Sequence, residues 1–405
     1  MNKDLYVKPN MLAYRSAQAL CFVLATFVFK RKFIRNEIKG VEDAYVVVAN
    51  HQCSLDFVNL LNATKKPLTF VLSNSFFNSL PVNGILKSLG VIPKQQFQTT
   101  VSDMKKMKAV IESGAGLVIY PAGLMCEDGV STPIPEATYK FIKWLDADVY
   151  AAHTTGTYFC KPKWTTGIRS GRTYLDIYKL LTKEALEKMT VGEVRAIVEE
   201  ALLFNAYEDQ ERLLIKYKNC DNIEGLENVL YQCPNCGKEF TVSVREKHKI
   251  CCSACGYEER CDEYGFLHND KGLGVEYRQV PDWSRHIYEE LKAYISEHPD
   301  FSVSAPTKIH MIDYDKHKFM EVGEGTVSLC KDHFTLTGKI NGEAVDCVIP
   351  SAKTPTLPFS PGRHLEIQNG QEIYRCVLDD GRLAMKFINT LKIFYELNSS
   401  KKRNK

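Results

Sequence analysis

The stretch Val46-Val47-Val48-Ala49-Asn50-His51-Gln52-Cys53-Ser54-Leu55-Asp56 decides how the first half of the chain is read. Three valines and an alanine form a short, mostly β-branched apolar run, the pattern of a buried strand. The run ends at Asn50 and His51. Ser54 has the side chain of an N-cap for a helix that starts at Leu55 and carries Phe57, Val58, Leu60 and Leu61. His51 and Asp56 are five residues apart. On one continuous helix that offset would point them apart, because neighbours on a face are three or four apart. They can meet only if the chain turns between them, as a strand end followed by an N-cap would make it do. His51 would then stand on a loop at the carboxyl end of a strand, where open α/β sheets hold ligands, with Asp56 facing back from the first helical turn.

A histidine and a carboxylate so placed have a definite chemistry. Neutral imidazole removes a proton from a hydroxyl, while the carboxylate fixes the tautomer and stabilises the imidazolium that forms. The activated hydroxyl can attack a thioester directly, without a serine nucleophile. Two other readings fit the same residues. His51 could be structural, beside an aspartate that caps a helix. Cys53 could be a nucleophile that forms an acyl-enzyme, although free cysteine more often serves as a small buried hydrophobe.

Outward from this stretch, strands are expected at Leu117–Tyr120 and around Val149–Ala152, with helices at Ser102–Ser113, Glu136–Leu145 and Thr190–Leu203. Strands alternating with helices predict an α/β sheet over residues 41–205. Residues 206–230 read as a charged connector, 231–264 as a cysteine-rich module, and 265–307 as a second connector containing a helix at Trp283–Ile295. Short alternating runs follow at Thr326–Cys330, His333–Gly338, Glu343–Ile349, His364–Ile367 and Ile373–Leu378, then an amphipathic stretch at Leu383–Leu397. Over 308–398 this predicts a small β-rich domain of the pleckstrin-homology or GRAM kind with a terminal helix. The basic tail Lys401–Lys405 reads as disordered.

The 405 residues exceed one ordinary core, so several domains are expected. A net charge of +3 is too small to argue for a nucleic-acid partner. Fourteen cysteines without a recognisable secretory signal read as thiols or metal ligands rather than disulfides. Cys233-Pro234-Asn235-Cys236-Gly237 and Cys252-Ser253-Ala254-Cys255-Gly256 give C-x-x-C twice, separated by residues 237–251. That spacing places four thiolates around a tetrahedral, structural zinc ion in a zinc ribbon. Cys251 could compete with Cys252, and Cys261 is a bystander. Near the start, the apolar run Ala17–Phe29 is followed by Lys30, Arg31, Lys32 and Arg35. It is shorter than the ~20 residues that span hydrocarbon. Residues 1–40 are therefore expected to form an interfacial helix on a membrane lipid surface, or else a buried first helix of the soluble domain.

The order of short motifs resembles the glycerolipid acyltransferase family, whose best-known member acylates lysophosphatidic acid. The likeness runs from about Val41 to Asn205. Asn50, His51 and Asp56 match its N-H-x-x-x-x-D block, and Gly90-Val91-Ile92-Pro93 matches its Gly-x-Ile-Pro block. Tyr120-Pro121-Ala122-Gly123-Leu124-Met125 stands where the family has aromatic-Pro-Glu-Gly-Thr-Arg, and Val149–Gly156 resembles the fourth block. The resemblance implies an O-acyltransferase on the cytoplasmic face of a membrane, peripheral or monotopic. It would use acyl-CoA or acyl-carrier protein as donor and a lysophospholipid as acceptor. His51 and Asp56 would be catalytic, and Asn50, Lys94, Pro121 and Gly123 would bind substrate. Three departures bear on the acceptor. Ala122 and Met125 replace the family's glutamate and arginine, and the second-block arginine falls near Gln96. In the family those basic residues are taken to hold the acceptor's phosphate, so Lys94, Lys161, Lys163 or Arg169 would have to substitute. Alternatively the chain is a catalytically decayed lipid-binding or regulatory protein on the same fold. Glu127 and Asp128 are assigned to a turn at Gly129.

Overall fold

A computed structural model describes residues 6–79, 83–96, 100–370 and 372–403. The chain forms two compact units, Met1–Asn219 and Cys220–Lys405.

The first unit is built on a seven-stranded sheet of β1 (Lys32–Asn36), β2 (Tyr45–Ala49), β3 (Leu68–Ser73), β4 (Ile92–Lys94), β5 (Gly116–Ile119), β6 (Asp148–Thr155) and β7 (Tyr174–Leu181). The order is β1-β7-β6-β2-β5-β3-β4. Every pairing is parallel except β6 with β7. All five residues of β2 are buried because both faces of the sheet are covered. Val46 and Val48 pack among Met107, Val110, Ile142, Val194 and Val198. Tyr45, Val47 and Ala49 face the other way, toward Leu60, Ala63, Tyr150 and Ile177. Each fully buried valine contributes roughly 1.5–3 kcal/mol.

The helices over the first face are Val101–Glu112, Glu136–Leu145 and Val191–Leu202, close to the expected bounds. Capping boxes start two of them: Thr100 with Asp103, and Thr190 with Glu193. Strands β1, β3 and β7 have no counterpart among the expected strands, while β4 overlaps the Gly90–Pro93 motif, a strand end by the family resemblance. The antiparallel turn of the sheet at β6–β7 has no counterpart either.

The N-terminal helix is longer than the apolar run. It spans Met11–Val23, capped by Asn10, and continues through a π-helical turn at Leu24–Val28. Together Met11–Val28 is long and apolar enough to cross a membrane by length and composition. Its two sides differ. Tyr14, Gln18, Cys21, Ala25 and Phe29 form a buried stripe. The Gln18 amide donates to the carbonyls of Leu61 (2.9 Å) and Thr64 (3.1 Å), and the Leu68 N–H donates to the Tyr14 hydroxyl (2.7 Å). Leu12, Leu20, Phe22, Val23 and Phe27 lie exposed on the other side. The helix is thus bound to the soluble fold along one stripe and apolar on its outer face. The basic cluster beyond it is partly engaged. Arg31 donates to the Asn59 carbonyl (2.6 Å) and Arg35 pairs with Asp176, leaving Lys30 and Lys32 exposed.

The second unit holds a four-stranded antiparallel sheet of β8 (Val242–Arg245), β9 (Lys249–Cys252), β10 (Glu258–Cys261) and β11 (Leu267–His268), followed by a helix at Val280–Glu297. A seven-stranded antiparallel sheet follows, comprising β12 (Val303–Asp313), β13 (Lys318–Leu329), β14 (His333–Ile340), β15 (Glu343–Pro350), β16 (Phe359–Ser360), β17 (His364–Asn369) and β18 (Glu372–Leu378). Its order, β15-β14-β13-β12-β18-β17-β16, joins a four-strand and a three-strand meander through β12 and β18. The terminal helix runs Leu383–Arg403. The expected disordered tail therefore continues this helix through Arg403, while positions 404 and 405 lie outside the described residues. Residues 206–230, read as one connector, are divided: helix Ala206–Leu213 belongs to the first unit, and Cys220 begins the second.

Candidate functional site

β2 delivers His51 to the carboxyl edge of the sheet, where β5, β6, β3 and β4 also end. The chain turns at once, and Asp56 opens the short helix Asp56–Leu60. The expected N-cap role of Ser54 is not found. Leu55 occupies the cap position without a side-chain hydrogen bond. The turn is closed by Asp56 itself, whose Oδ2 accepts from the backbone N–H groups of Gln52 (2.7 Å) and Cys53 (3.0 Å). The same oxygen meets His51 Nδ1 at 2.9 Å. Asp56 is 1% exposed, whereas the His51 side chain keeps 21% of its surface. With Nδ1–H directed at the carboxylate, the imidazole lone pair lies on Nε2, as a general base requires.

Two buried amides hold this loop. Asn50 pairs both ways with the Thr154 backbone, its Nδ2 donating to the carbonyl (2.9 Å) and its Oδ1 accepting from the N–H (2.8 Å). Gln52 is fully buried. Its Nε2 donates to the Thr154 carbonyl (2.8 Å), and its Oε1 accepts from Thr157 Oγ1 (3.1 Å) and the Tyr158 N–H (3.0 Å). Asn50, expected to bind substrate, has its side-chain amide engaged with the end of β6. Gln52 was not singled out from the sequence, though a glutamine beside the histidine in a buried turn must satisfy its amide somewhere.

The third-block turn runs alongside. Tyr120 leaves β5 and stacks on His51, with ring centroids 4.2 Å apart and planes 24° apart. The Gly123 N–H donates to the Tyr120 carbonyl (2.9 Å), and the Cys126 N–H donates to the His51 carbonyl (3.3 Å). Pro121 is buried and Gly123 exposed. Gln96, near the position of the family's arginine, donates to the Gly123 carbonyl (2.9 Å). Lys94 ends β4, three strands from β2 in the sheet order, or roughly 14 Å by strand spacing. Its ammonium donates to the Gln95 carbonyl (3.1 Å), and burial lowers its pKa. Lys163 Nζ reaches the Met125 carbonyl at 3.5 Å, so it approaches the third-block turn. Lys161 is directed at the Thr165 and Thr166 carbonyls, and the buried Arg169 guanidinium lies 5.3 Å from the Trp164 ring centre. Cys53 is fully buried, with its thiol directed at Asp56 Oδ1 (3.4 Å). Burial and the Asp56 charge push that thiol well up, which opposes thiolate chemistry.

In the second unit, Cys233, Cys236, Cys252 and Cys255 bring their sulfurs within 4.8 Å of one another, a cluster able to hold a metal ion. The sulfurs of Cys233 and Cys255 are 3.6 Å apart and those of Cys236 and Cys252 are 3.8 Å apart. Tetrahedral Zn–S bonds of about 2.3 Å place sulfurs about 3.8 Å apart, so the set fits. Gly237 (φ 70°) and Gly256 (φ 77°) make the tight turn after each pair, a conformation that a side chain would strain. Asn235 Nδ2 (3.4 Å) donates to the Cys255 sulfur and the Ala254 N–H (3.4 Å) to the Cys252 sulfur, as thiolate ligands favour. Cys251 turns away toward Glu258, and Cys261 lies against the Cys220 carbonyl.

Residues 29–150 match the family model described as Acyltransferase, a segment that contains His51, Asp56, Lys94, Pro121 and Gly123. Among solved structures, the chain is similar to the 1-acyl-sn-glycerophosphate (LPA) acyltransferase PlsC from Thermotoga maritima. That similarity has a TM-score of 0.41 and 17% sequence identity, and covers 50% of this chain and 79% of that one. No curated protein matches the sequence. The segment that matches the acyltransferase model lies within the first unit and contains the His51 site.

Proposed function

We propose that the first unit transfers a fatty-acyl group from acyl-CoA or acyl-carrier protein to a hydroxyl of a lysophospholipid or related glycerolipid. His51 Nε2 takes the proton of the acceptor hydroxyl as its oxygen attacks the thioester carbonyl; the carbon–sulfur bond then breaks, and the thiol leaves with a proton returned from His51. Asp56 holds the tautomer and balances the imidazolium. The observation that carries this reading is the 2.9 Å contact between a partly exposed histidine and a buried aspartate anchored by two backbone N–H groups. Lys94 and Lys163 are the candidates for the acceptor's anionic headgroup. The second unit would bind one structural zinc ion through four thiolates that leave no open position. Its seven-stranded sheet with a terminal helix fits the pleckstrin-homology or GRAM kind.

The outer face of the N-terminal helix would hold the first unit on the cytoplasmic face of a membrane. Leu20 and Phe27 contribute a hydrophobic contact that salt does not screen, while Lys30 and Lys32 add attraction to anionic headgroups. The reading is tested by mass spectrometry of the lipids formed when purified protein meets acyl-CoA and a panel of lysolipids. The decayed lipid-binding reading rests on Ala122 and Met125. It prevails if lysolipid binds and no acyl product forms with any donor.

A further inference from the structure

We infer that Tyr120 is a positioning residue that sets the plane of the His51 imidazole, an inference that deepens the acyl-transfer reading and rests on it. The bond from Nδ1 to Asp56 and the tether through Cβ leave the ring only a limited swing, through coupled changes of χ1 and χ2, which would shift Nε2 relative to the acceptor. A second contact is needed to stop the swing, and the face of Tyr120 supplies it. β2 and β5 are adjacent and parallel, with Val48 opposite Ile119, so Tyr120 leaves β5 level with the end of β2, two residues short of His51, and the turn after Ala49 brings the His51 ring back over it. The rings lie 4.2 Å apart and 24° from parallel. Tyr120 is itself held, since its carbonyl closes the turn with Gly123, whose own carbonyl accepts from Gln96.

The hydroxyl of Tyr120 points to the face of the ring as the useful part. It is buried and has no hydrogen-bond partner among the described residues. Asp56 and Cys53 lie near enough to add to the effect of burial in holding its proton on. An unpaired buried hydroxyl is a cost, so the tyrosine is not retained for a hydrogen bond within the fold.

The test compares Tyr120→Phe with Tyr120→Leu in the full chain. Phenylalanine keeps the stacking face and removes the orphaned hydroxyl, so kcat should stay within about twofold of the parent. Leucine fills the space without a flat face, so kcat should fall about 10- to 100-fold while KM for donor and acceptor is unchanged, the size expected for a misaimed group. The His51 ring signals in proton NMR, assigned by comparison with His51→Gln, provide a second readout independent of turnover. The ring-current shift should persist in Tyr120→Phe and vanish in Tyr120→Leu, with Tyr120→Met replacing leucine if that variant does not fold. Unchanged kcat and unchanged His51 shifts in Tyr120→Leu would overturn the inference, as would an equal loss in Tyr120→Phe. A parent protein that makes no acyl product defeats the proposed function instead, and the NMR comparison still decides the ring's role.

Discussion

Asp56 in the first unit and Glu259 in the second are the most deeply buried carboxylates of each, and the two are treated in opposite ways. Asp56 is surrounded by donors: two backbone N–H groups and the His51 imidazole on Oδ2, and the Cys53 thiol on Oδ1. Glu259 on β10 is fully buried, yet only its Oε1 is engaged, by the Tyr257 hydroxyl and the Tyr277 N–H (2.9 Å). Its Oε2 has no partner among the described residues. Converging donors favour the charged form of a buried acid, and an unpaired oxygen favours the neutral form. The first arrangement suits a group that must stabilise a cation as it forms. The second suits a group that serves the interior as a neutral acid.

The largest expected effect concerns the sheet that carries Glu259, whose strand β9 ends in one cysteine of the four-cysteine cluster. Purified protein should contain about one zinc per chain, and Cys252→Ser should lose it. Structural zinc contributes ~10 kcal/mol or more in small domains, so stripping it should melt the β8–β11 sheet. Trp283 packs edge-on against Tyr257, with ring centres 5.8 Å apart, and its indole N–H donates to the Gln232 carbonyl, so its fluorescence reports that melting. Metal-free protein from a chelator-free preparation, with the fold of this sheet intact, would refute the assignment.

The Asp56 side of the comparison is broken by changing its donors or its charge. Asp56→Asn should lower acyl transfer on the order of 10³-fold, because an amide directs an N–H at the imidazole and stabilises the wrong tautomer. His51→Ala should fall at least as far. Melting temperature should change little for His51→Ala, since that ring is partly exposed. Full turnover by purified His51→Ala sinks the mechanism.

A smaller effect is expected at the N-terminal helix, where the test has to spare the buried stripe. Deleting residues 1–35 would strip Tyr14, Gln18, Cys21, Ala25 and Phe29 from the fold and most of β1 from the sheet. Leu20→Ser with Phe27→Ser alters only exposed positions. Sedimentation with anionic vesicles should fall several-fold in the double variant at high salt, where the lysines are screened. Equal sedimentation of variant and parent would count against this face as the membrane contact.

The legible part of the site was its strand–turn–helix geometry. Four apolar residues ahead of Asn50 announce a buried strand, and the five-residue offset demands a turn. The residues that enforce the turn were harder to read. Ser54 has the right chemistry for a cap, but Asp56 closes the turn with its own carboxylate. Gln52 and Tyr120 act through partners more than 60 residues away in sequence or in a neighbouring strand, which no local pattern encodes. In the N-terminal helix, hydrophobicity alone could not separate Phe29, which is 1% exposed, from Phe27, which is 70% exposed. The buried stripe becomes visible only when Gln18 is seen to face the Leu61 and Thr64 carbonyls. The four-cysteine cluster was the easiest element to read, because its spacing is set by the ligand geometry itself.

The mildest test sharpens the Glu259 side. One proton on the Tyr257 hydroxyl faces two acceptors, Glu259 Oε1 and the Val275 carbonyl at 2.6 Å. Both contacts become hydrogen bonds if Glu259 keeps its proton, donates to the Tyr257 oxygen and lets Tyr257 donate to Val275. Burial, with Glu276 nearby, pushes the Glu259 carboxyl up to about 7, against about 4.3 for an unperturbed glutamate. The folded state therefore binds a proton that the unfolded chain has already released. Its stabilising effect is complete below about pH 4.3 and is lost as pH rises through about 7. Glu259→Gln keeps the size and can donate to Tyr257 at any pH, so this slope should flatten. At pH 8 the variant's second unit should be the more stable by ~1–4 kcal/mol, the upper end corresponding to the whole shift. Thermal melts followed by Trp283 fluorescence between pH 5 and pH 8 check this. The same pH slope in variant and parent would mean that Glu259 is charged in the fold, and the contrast with Asp56 would fail.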